Sequence, residues 1–295
     1  MRTFTALFLV MGCTSNGDGD SASLDCAGLY GYDCPTADAQ EALDRVNALR
    51  AEAGLAPTVL ESRLDVASQA HTDFMADNSD FNHYEDASKP GYTGDWVWDR
   101  METAGYPLEP GRVWMEVISK GLSPADAVDG WIGTVYHRIP FTSVELIEVG
   151  FGYTDDYAGM ALVLPFPDAE RSAVLYPADG QVDVPTSFDS DTEIPDPAPG
   201  HGVVGYPISV SVGEPLFGNA STEDPYGLRL ISASVTGPEG AVELLSLDPS
   251  NDSYMFNMAA VMPVSPLSSA TTYDVEMVVE FGGSSETLTG SFTTR

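Results

Sequence analysis

Positive charge is what this chain has least of. Its 295 residues include 12 lysines and arginines against 45 aspartates and glutamates, a formal net charge of −33. Lys89 and Lys120 are the two lysines. Such a surface repels phosphate backbones and anionic headgroups, so nucleic acid is excluded as a partner. Adaptation to a salty or extracellular setting explains the imbalance. A calcium site in a stretch such as Asp189-Ser190-Asp191-Thr192-Glu193 is the alternative, although no EF-hand spacing is present. Histidine is scarce, with 4 residues, and cysteine scarcer, with 3. No Gly-x-Ser-x-Gly motif occurs, so a nucleophile elbow is absent. Core-building residues are not lacking, since 43% of the chain is apolar. At this length two domains are the natural expectation.

Residues 1–12 read as a targeting segment. Arg2 supplies the positive charge and Phe4 to Met11 the apolar run, which is too short to span a membrane. Val10-Met11-Gly12-Cys13 resembles a bacterial lipobox, with Cys13 lipidated as the first mature residue; cleavage of an ordinary secretory signal nearby is the alternative. Residues 13–35 then form a polar tether with little to bury. With Cys13 lipidated, Cys26 and Cys34 remain as a pair. An oxidising compartment would join them in a disulfide around a small loop.

The next 130 residues alternate helical and strand patterns. Thr36 can cap a helix whose inward stripe is Leu43, Val46 and Leu49, ending at Gly54. A second helix runs from about Ser62 to Asp77. His71 lies on its apolar stripe and reads as a hydrogen-bonded core histidine. A third helix is predicted over roughly Gly94 to Ala104. Val113 to Ser119 alternates as a strand, with Trp114, Glu116 and Ile118 on one face. Ser123-Pro124-Ala125-Asp126 is a strong helix start. Leu146 to Tyr153 and Gly159 to Phe166 form a hairpin. That order predicts a small antiparallel sheet covered by helices on both faces.

Three polar residues stand out in this stretch: His83, Glu116 and His137. Two imidazoles and one carboxylate are ingredients of a zinc site or an acid/base site. The bland alternative is a clasp in which they hydrogen-bond to hold loops together.

The stretch resembles the CAP superfamily: cysteine-rich secretory proteins, antigen 5 and pathogenesis-related proteins, in a bacterial, disulfide-poor form. The resemblance rests on Val46-Asn47-Ala48-Leu49-Arg50, the helix with His71, then His83, Asp99-Arg100, Glu116, Gly121 with Ser123-Pro124, Trp131, His137-Arg138, and Glu148-Val149-Gly150-Phe151-Gly152, in family order. It implies an α-β-α sandwich over residues 36–167 with a central cleft. It also implies a tetrad of two histidines and two acids that binds zinc in some members. By position His83, Glu116 and His137 match three of the four. The second acid normally follows the tryptophan of the fourth helix. Here Trp131 is followed by Ile132, Gly133 and Thr134, so that place has no acid.

After Pro165 glycine and proline rise, and short alternating runs follow at Ile208 to Val212, Leu228 to Val235, Val242 to Leu247, Tyr254 to Val261, Tyr273 to Glu280 and Glu286 to Thr294. They predict an all-β sandwich over 171–295. Its opening Pro177-Ala178-Asp179-Gly180 and closing Gly290-Ser291-Phe292-Thr293-Thr294 resemble bacterial Ig-like modules of cell-surface proteins. Residues 189–205, with His201, depart from that pattern and read as a long loop. The expected fold class is thus α+β, a CAP-type sandwich followed by an Ig-like sandwich. The leading functional expectation is an exported, lipid-anchored or secreted surface protein, not an enzyme, whose cleft takes a lipid, sterol or cell-envelope partner. The alternative is a zinc-dependent hydrolase with His83 and His137 as ligands and Glu116 as ligand or general base.

Overall fold

The structure, a computed structural model, describes residues 35–144, 146–165, 172–213 and 227–295. The predicted leader, the lipidation site Cys13 and the Cys26–Cys34 pair lie outside the described residues. Residues 35–295 form one compact unit.

The first helix, α1 (Ala37–Glu52), starts where Thr36 accepts a hydrogen bond from the Ala39 N–H at 3.1 Å. It ends before Gly54, whose φ of +71° suits glycine. The second, α2 (Ser62–Asn78), is capped by Glu61 and carries His71 on its buried side. The third, α3, is shorter than predicted, Val97–Thr103. Glu85 accepts from the Thr93 N–H at 2.7 Å and the Gly94 N–H at 3.4 Å, and Asp99 accepts from the Trp96 N–H at 3.0 Å. These bonds hold the chain out of the helix until residue 97. The last two are α4 (Pro124–Gly133) and the single turn α5 (Ile139–Thr142).

Between the helices lies a four-stranded sheet in the order β1-β3-β4-β2, with β1 (Val59–Leu60), β2 (Arg112–Lys120), β3 (Glu148–Thr154) and β4 (Tyr157–Pro165). The predicted hairpin is β3–β4. The added edge strand β1 pairs parallel with β3, a feature two residues are too short to announce. Strand alternation sends Val117, Phe151, Met160 and Leu162 to one core with α1 and α4, and Ala161 and Val163 to another with α2 and α3. Helices therefore cover both faces, as expected.

Helix α2 sits unusually close to β3. A Cβ built on Gly150 would lie 2.1 Å from the backbone carbonyl carbon of Leu64. Gly150→Ala is expected to destabilise the chain by about 1–3 kcal/mol through overpacking; urea denaturation checks it, and an unchanged midpoint would mean the helix yields freely. The same helix places Asp65 beneath β3, where its carboxylate accepts from the Phe151 N–H at 2.9 Å. Burial pushes the Asp65 carboxyl up to about 7, against the lowering effect of that hydrogen bond. A raised carboxyl favours the fold while protonated, so its ionisation penalty develops as pH rises above its ordinary 3.8 and is complete above about 7. Asp65→Asn should melt higher than the parent at pH 8 and alike near pH 4. An equal gap at both pH values would show that Asp65 is not the titrating group.

Among the described residues the C-terminal region is all β apart from one short turn. One sheet has the order β11-β10-β14-β15-β6: β6 (Gln181–Val184), β10 (Arg229–Gly237), β11 (Gly240–Ala241), β14 (Thr272–Phe281), β15 (Ser284–Thr294). The other has the order β12-β13-β9-β5: β5 (Ser172–Tyr176), β9 (Ile208–Gly213), β12 (Leu244–Leu247), β13 (Met258–Pro263). A small pair, β7 (Ser187–Asp189) with β8 (Val203–Gly205), brackets the predicted long loop. Val210 and Val261 of one sheet and Met277 and Phe292 of the other join the same hydrophobic core as α1 and α4.

This shared core is reinforced by buried polar bonds. Arg138 is fully buried; its Nε donates to the Ile132 carbonyl at 2.6 Å and its NH1 to the Pro207 carbonyl at 2.7 Å. The guanidinium lies over the Tyr176 and Tyr206 rings. Asn257 bonds Ser143 at 3.1 Å and Thr142 bonds Ser211 at 2.6 Å. Among the described residues no helix is long and apolar enough to cross a membrane.

Candidate functional site

Glu116 projects from the middle of β2, in register with Ala161. Alternation puts it on the face of Trp114 and Ile118, which is the face covered by α2 and α3. There His83 Nδ1 donates to Glu116 Oε2 at 2.8 Å, and Arg100 NH2 donates to Oε1 at 2.6 Å. Arg100 itself is positioned by α3 and also donates to the His83 carbonyl at 3.1 Å. Beneath them His71 donates from Nδ1 to Glu85 at 2.8 Å and from Nε2 to the Asn82 carbonyl at 2.9 Å. His71 is thus the buried, satisfied histidine that its place on the helix stripe predicts. Its Nε2 lies 3.8 Å from Glu116 Oε2, and Arg100 Nε lies 3.8 Å from Glu85.

This is a buried network of two acids, one arginine and two histidines, open to solvent only at His83, whose side chain is 43% exposed. Burial pushes the Glu116 carboxyl up, but the His83 hydrogen bond, the Arg100 guanidinium and His71 outweigh it and hold the group at about 2. A carboxylate held so firmly ionised, with both oxygens engaged, is a weak proton acceptor. Among the described residues His83 Nε2 has no hydrogen-bond partner, which makes it the polar atom available to a ligand.

His137 has a different partner from the one expected. It follows α4, on the opposite helical layer, and its Nδ1 donates to Glu193 Oε1 at 2.8 Å. The Glu193 side chain is fully buried. It also accepts from the backbone N–H groups of Val135 at 2.8 Å, Tyr136 at 2.8 Å and His137 at 3.1 Å. Burial raises the Glu193 carboxyl, yet His137 and these donors keep it below the usual carboxylate range. The acid missing after Trp131 therefore has a counterpart from the β7–β8 loop, which is anchored rather than solvated at this point. His201, in the same loop, is exposed as expected.

Of the expected trio, the structure joins His83 to Glu116 and gives His137 to Glu193. Among the described residues no group of three or more His, Cys, Asp or Glu side chains is placed to hold a metal ion. As arranged, His83 and His137 give their Nδ1 atoms to separate carboxylates, Glu116 and Glu193. Two buried acids, Glu85 and Glu193, escape sequence reasoning. Glu85 sits two residues after His83 in an otherwise exposed turn, and nothing in the chain links position 193 to position 137.

Residues 43–166 match the model of the cysteine-rich secretory protein family, CAP. That segment is a CAP-type domain. Solved structures with similarity to the chain include an extracellular protein containing an SCP domain from Bacillus anthracis, 20% identical over 43% of this chain and 40% of its own, with a TM-score of 0.38. An outer surface protein from Borrelia burgdorferi is 13% identical over 43% of this chain and 91% of its own, with a TM-score of 0.34. A cysteine-rich secretory protein from Staphylococcus aureus is 16% identical over 45% of this chain and 42% of its own, with a TM-score of 0.33. The match thus spans about two fifths of the Bacillus anthracis chain. No curated protein matches.

Proposed function

We propose that this is an exported, surface-associated CAP-domain protein that binds a lipid, sterol or cell-envelope partner through the cleft face at His83 and catalyses no reaction. The observation that carries this reading is the state of Glu116. Its oxygens are occupied by Arg100 and His83, and it is held at about 2, which leaves it no capacity to activate water at neutral pH. His83, in contrast, offers a free ring nitrogen at the surface. The lipobox-like Val10-Met11-Gly12-Cys13 supports tethering to the envelope. The C-terminal sheets, in the Ig-like reading, brace the CAP domain through Arg138 and Glu193.

The test uses the full chain with zinc added, assayed on fluorogenic peptide and ester substrates beside Glu116→Gln, together with binding of a fluorescent sterol and of phospholipid vesicles. The expected result is no turnover by either protein, with saturable binding of a sterol or vesicle that His83→Ala weakens. Zinc-dependent turnover that disappears in Glu116→Gln would establish a hydrolase instead.

A further inference from the structure

Beside His83 the chain leaves an unusual amount of aromatic surface in water. Tyr84 is 38% exposed, Tyr92 40%, Trp96 45% and Trp98 40%. Their exposure follows from the helix start. Val97 and Met101 turn inward to the α2–α3 core, so Trp96 and Trp98 flank them on the outside. The rings of Tyr84, Trp96 and Trp98 form one ledge, and Tyr92 joins it through its hydroxyl bond to Asp95. Trp96 stacks on Trp98 with centroids 5.8 Å apart, and Tyr84 meets Trp96 edge-on at 5.6 Å. Contiguous exposed aromatics of this kind mark recognition surfaces, whereas scattered ones need no explanation.

The ledge is also acidic. Asp95 accepts from the Tyr92 hydroxyl at 2.7 Å, and Asp99, just after Trp98, accepts from the Trp96 N–H at 3.0 Å. The Tyr92 hydroxyl is pushed up to about 12, chiefly by its bond to Asp95, with Asp99 and Tyr84 close enough to contribute. The two basic residues nearest in sequence are committed elsewhere: Lys89 to Asp80 and the buried Arg100 to Glu116.

Aromatic faces with flanking carboxylates attract cations, and weakly hydrated quaternary ammonium ions most readily, because little hydration is lost on contact. We infer that the ledge of Tyr84, Tyr92, Trp96 and Trp98, with Asp95, is a binding site for a small quaternary ammonium solute of the choline type. A phosphocholine headgroup fits less well, since its phosphate would be carried toward a chain of net charge −33. A neutral sugar would use the ring faces and gain nothing from the carboxylates. The inference stands apart from the identity of any partner of the His83 cleft.

The experiment titrates the full chain with choline and follows tryptophan fluorescence, beside 3,3-dimethylbutanol, the neutral isostere of choline. Saturable binding of choline is expected, at least roughly tenfold tighter than the isostere. Trp96→Ala and Asp95→Asn should each weaken it severalfold, with far-UV circular dichroism confirming that both variants fold. His83→Ala should leave it unchanged, which separates this site from the cleft. Equal response to choline and the isostere, no saturation, or preference for phosphatidylcholine vesicles or for glucose over choline would each overturn the inference.

Discussion

Glu193→Ala is expected to lower stability by about 3–5 kcal/mol, the range for removing one partner of a buried charged pair. The carboxylate accepts four hydrogen bonds, three from consecutive backbone N–H groups and one from His137 Nδ1. Alanine would strand those donors, and a buried N–H without a partner is costly. Glu193→Gln keeps one accepting oxygen and should fall between the parent and alanine. The pH dependence has a definite sign. The folded carboxyl is depressed, so its contribution is present above its ordinary value of 4.5 and is lost as pH falls through the lower folded value. Urea denaturation of the full chain at pH 7 and pH 3 measures both effects. A loss no larger than about 0.5 kcal/mol, the size of an ordinary surface change, would mean that Glu193 is not the lock between the loop and His137.

Arg100→Leu is the second large effect. Arg100 is 1% exposed and faces Glu116 at 2.6 Å and Glu85 at 3.8 Å. Its NH1 also reaches the His83 carbonyl at 3.1 Å and the Asp95 carbonyl at 3.4 Å. Leucine fills much of the volume but leaves two acids buried with less compensation, again a loss of about 3–5 kcal/mol. Glu116 should then titrate above its present value of about 2. Its contribution to stability, now present above 4.5 and lost only as pH falls toward about 2, would be lost at a higher pH. Acid unfolding followed by near-UV circular dichroism should therefore move upward in pH. An acid midpoint that stays put would show that His83 and His71 alone hold Glu116 ionised.

Most of the fold of residues 36–167 is legible in the chain, because its signals are local. Thr36 and Ser123 cap the helices that follow them, and alternation in β2 puts Glu116 on one face with Trp114 and Ile118. His137 follows α4 and lies on no strand, so no alternation relates it to Glu116. The pairing of His137 with Glu193 spans 56 residues and is set by the packing of the β7–β8 loop, which no periodicity encodes. The shared core is equally silent in sequence. Arg138 reads as the residue after a helix, yet it is buried between α4 and β9 because Pro207 and two tyrosines receive it. The expected division into two domains rests on the change from mixed helix and strand patterns to short alternating runs after residue 171.

The most direct measurement is a long-range proton–nitrogen NMR spectrum of the four histidines of the full chain, before and after one equivalent of zinc. With His83 and His137 serving separate carboxylates, each Nδ1 is protonated, Glu193→Gln perturbs the His137 ring alone, and zinc does not shift both rings together. Simultaneous shifts of His83 and His137 at one equivalent, abolished by Glu116→Gln, would contradict this and restore a shared metal site.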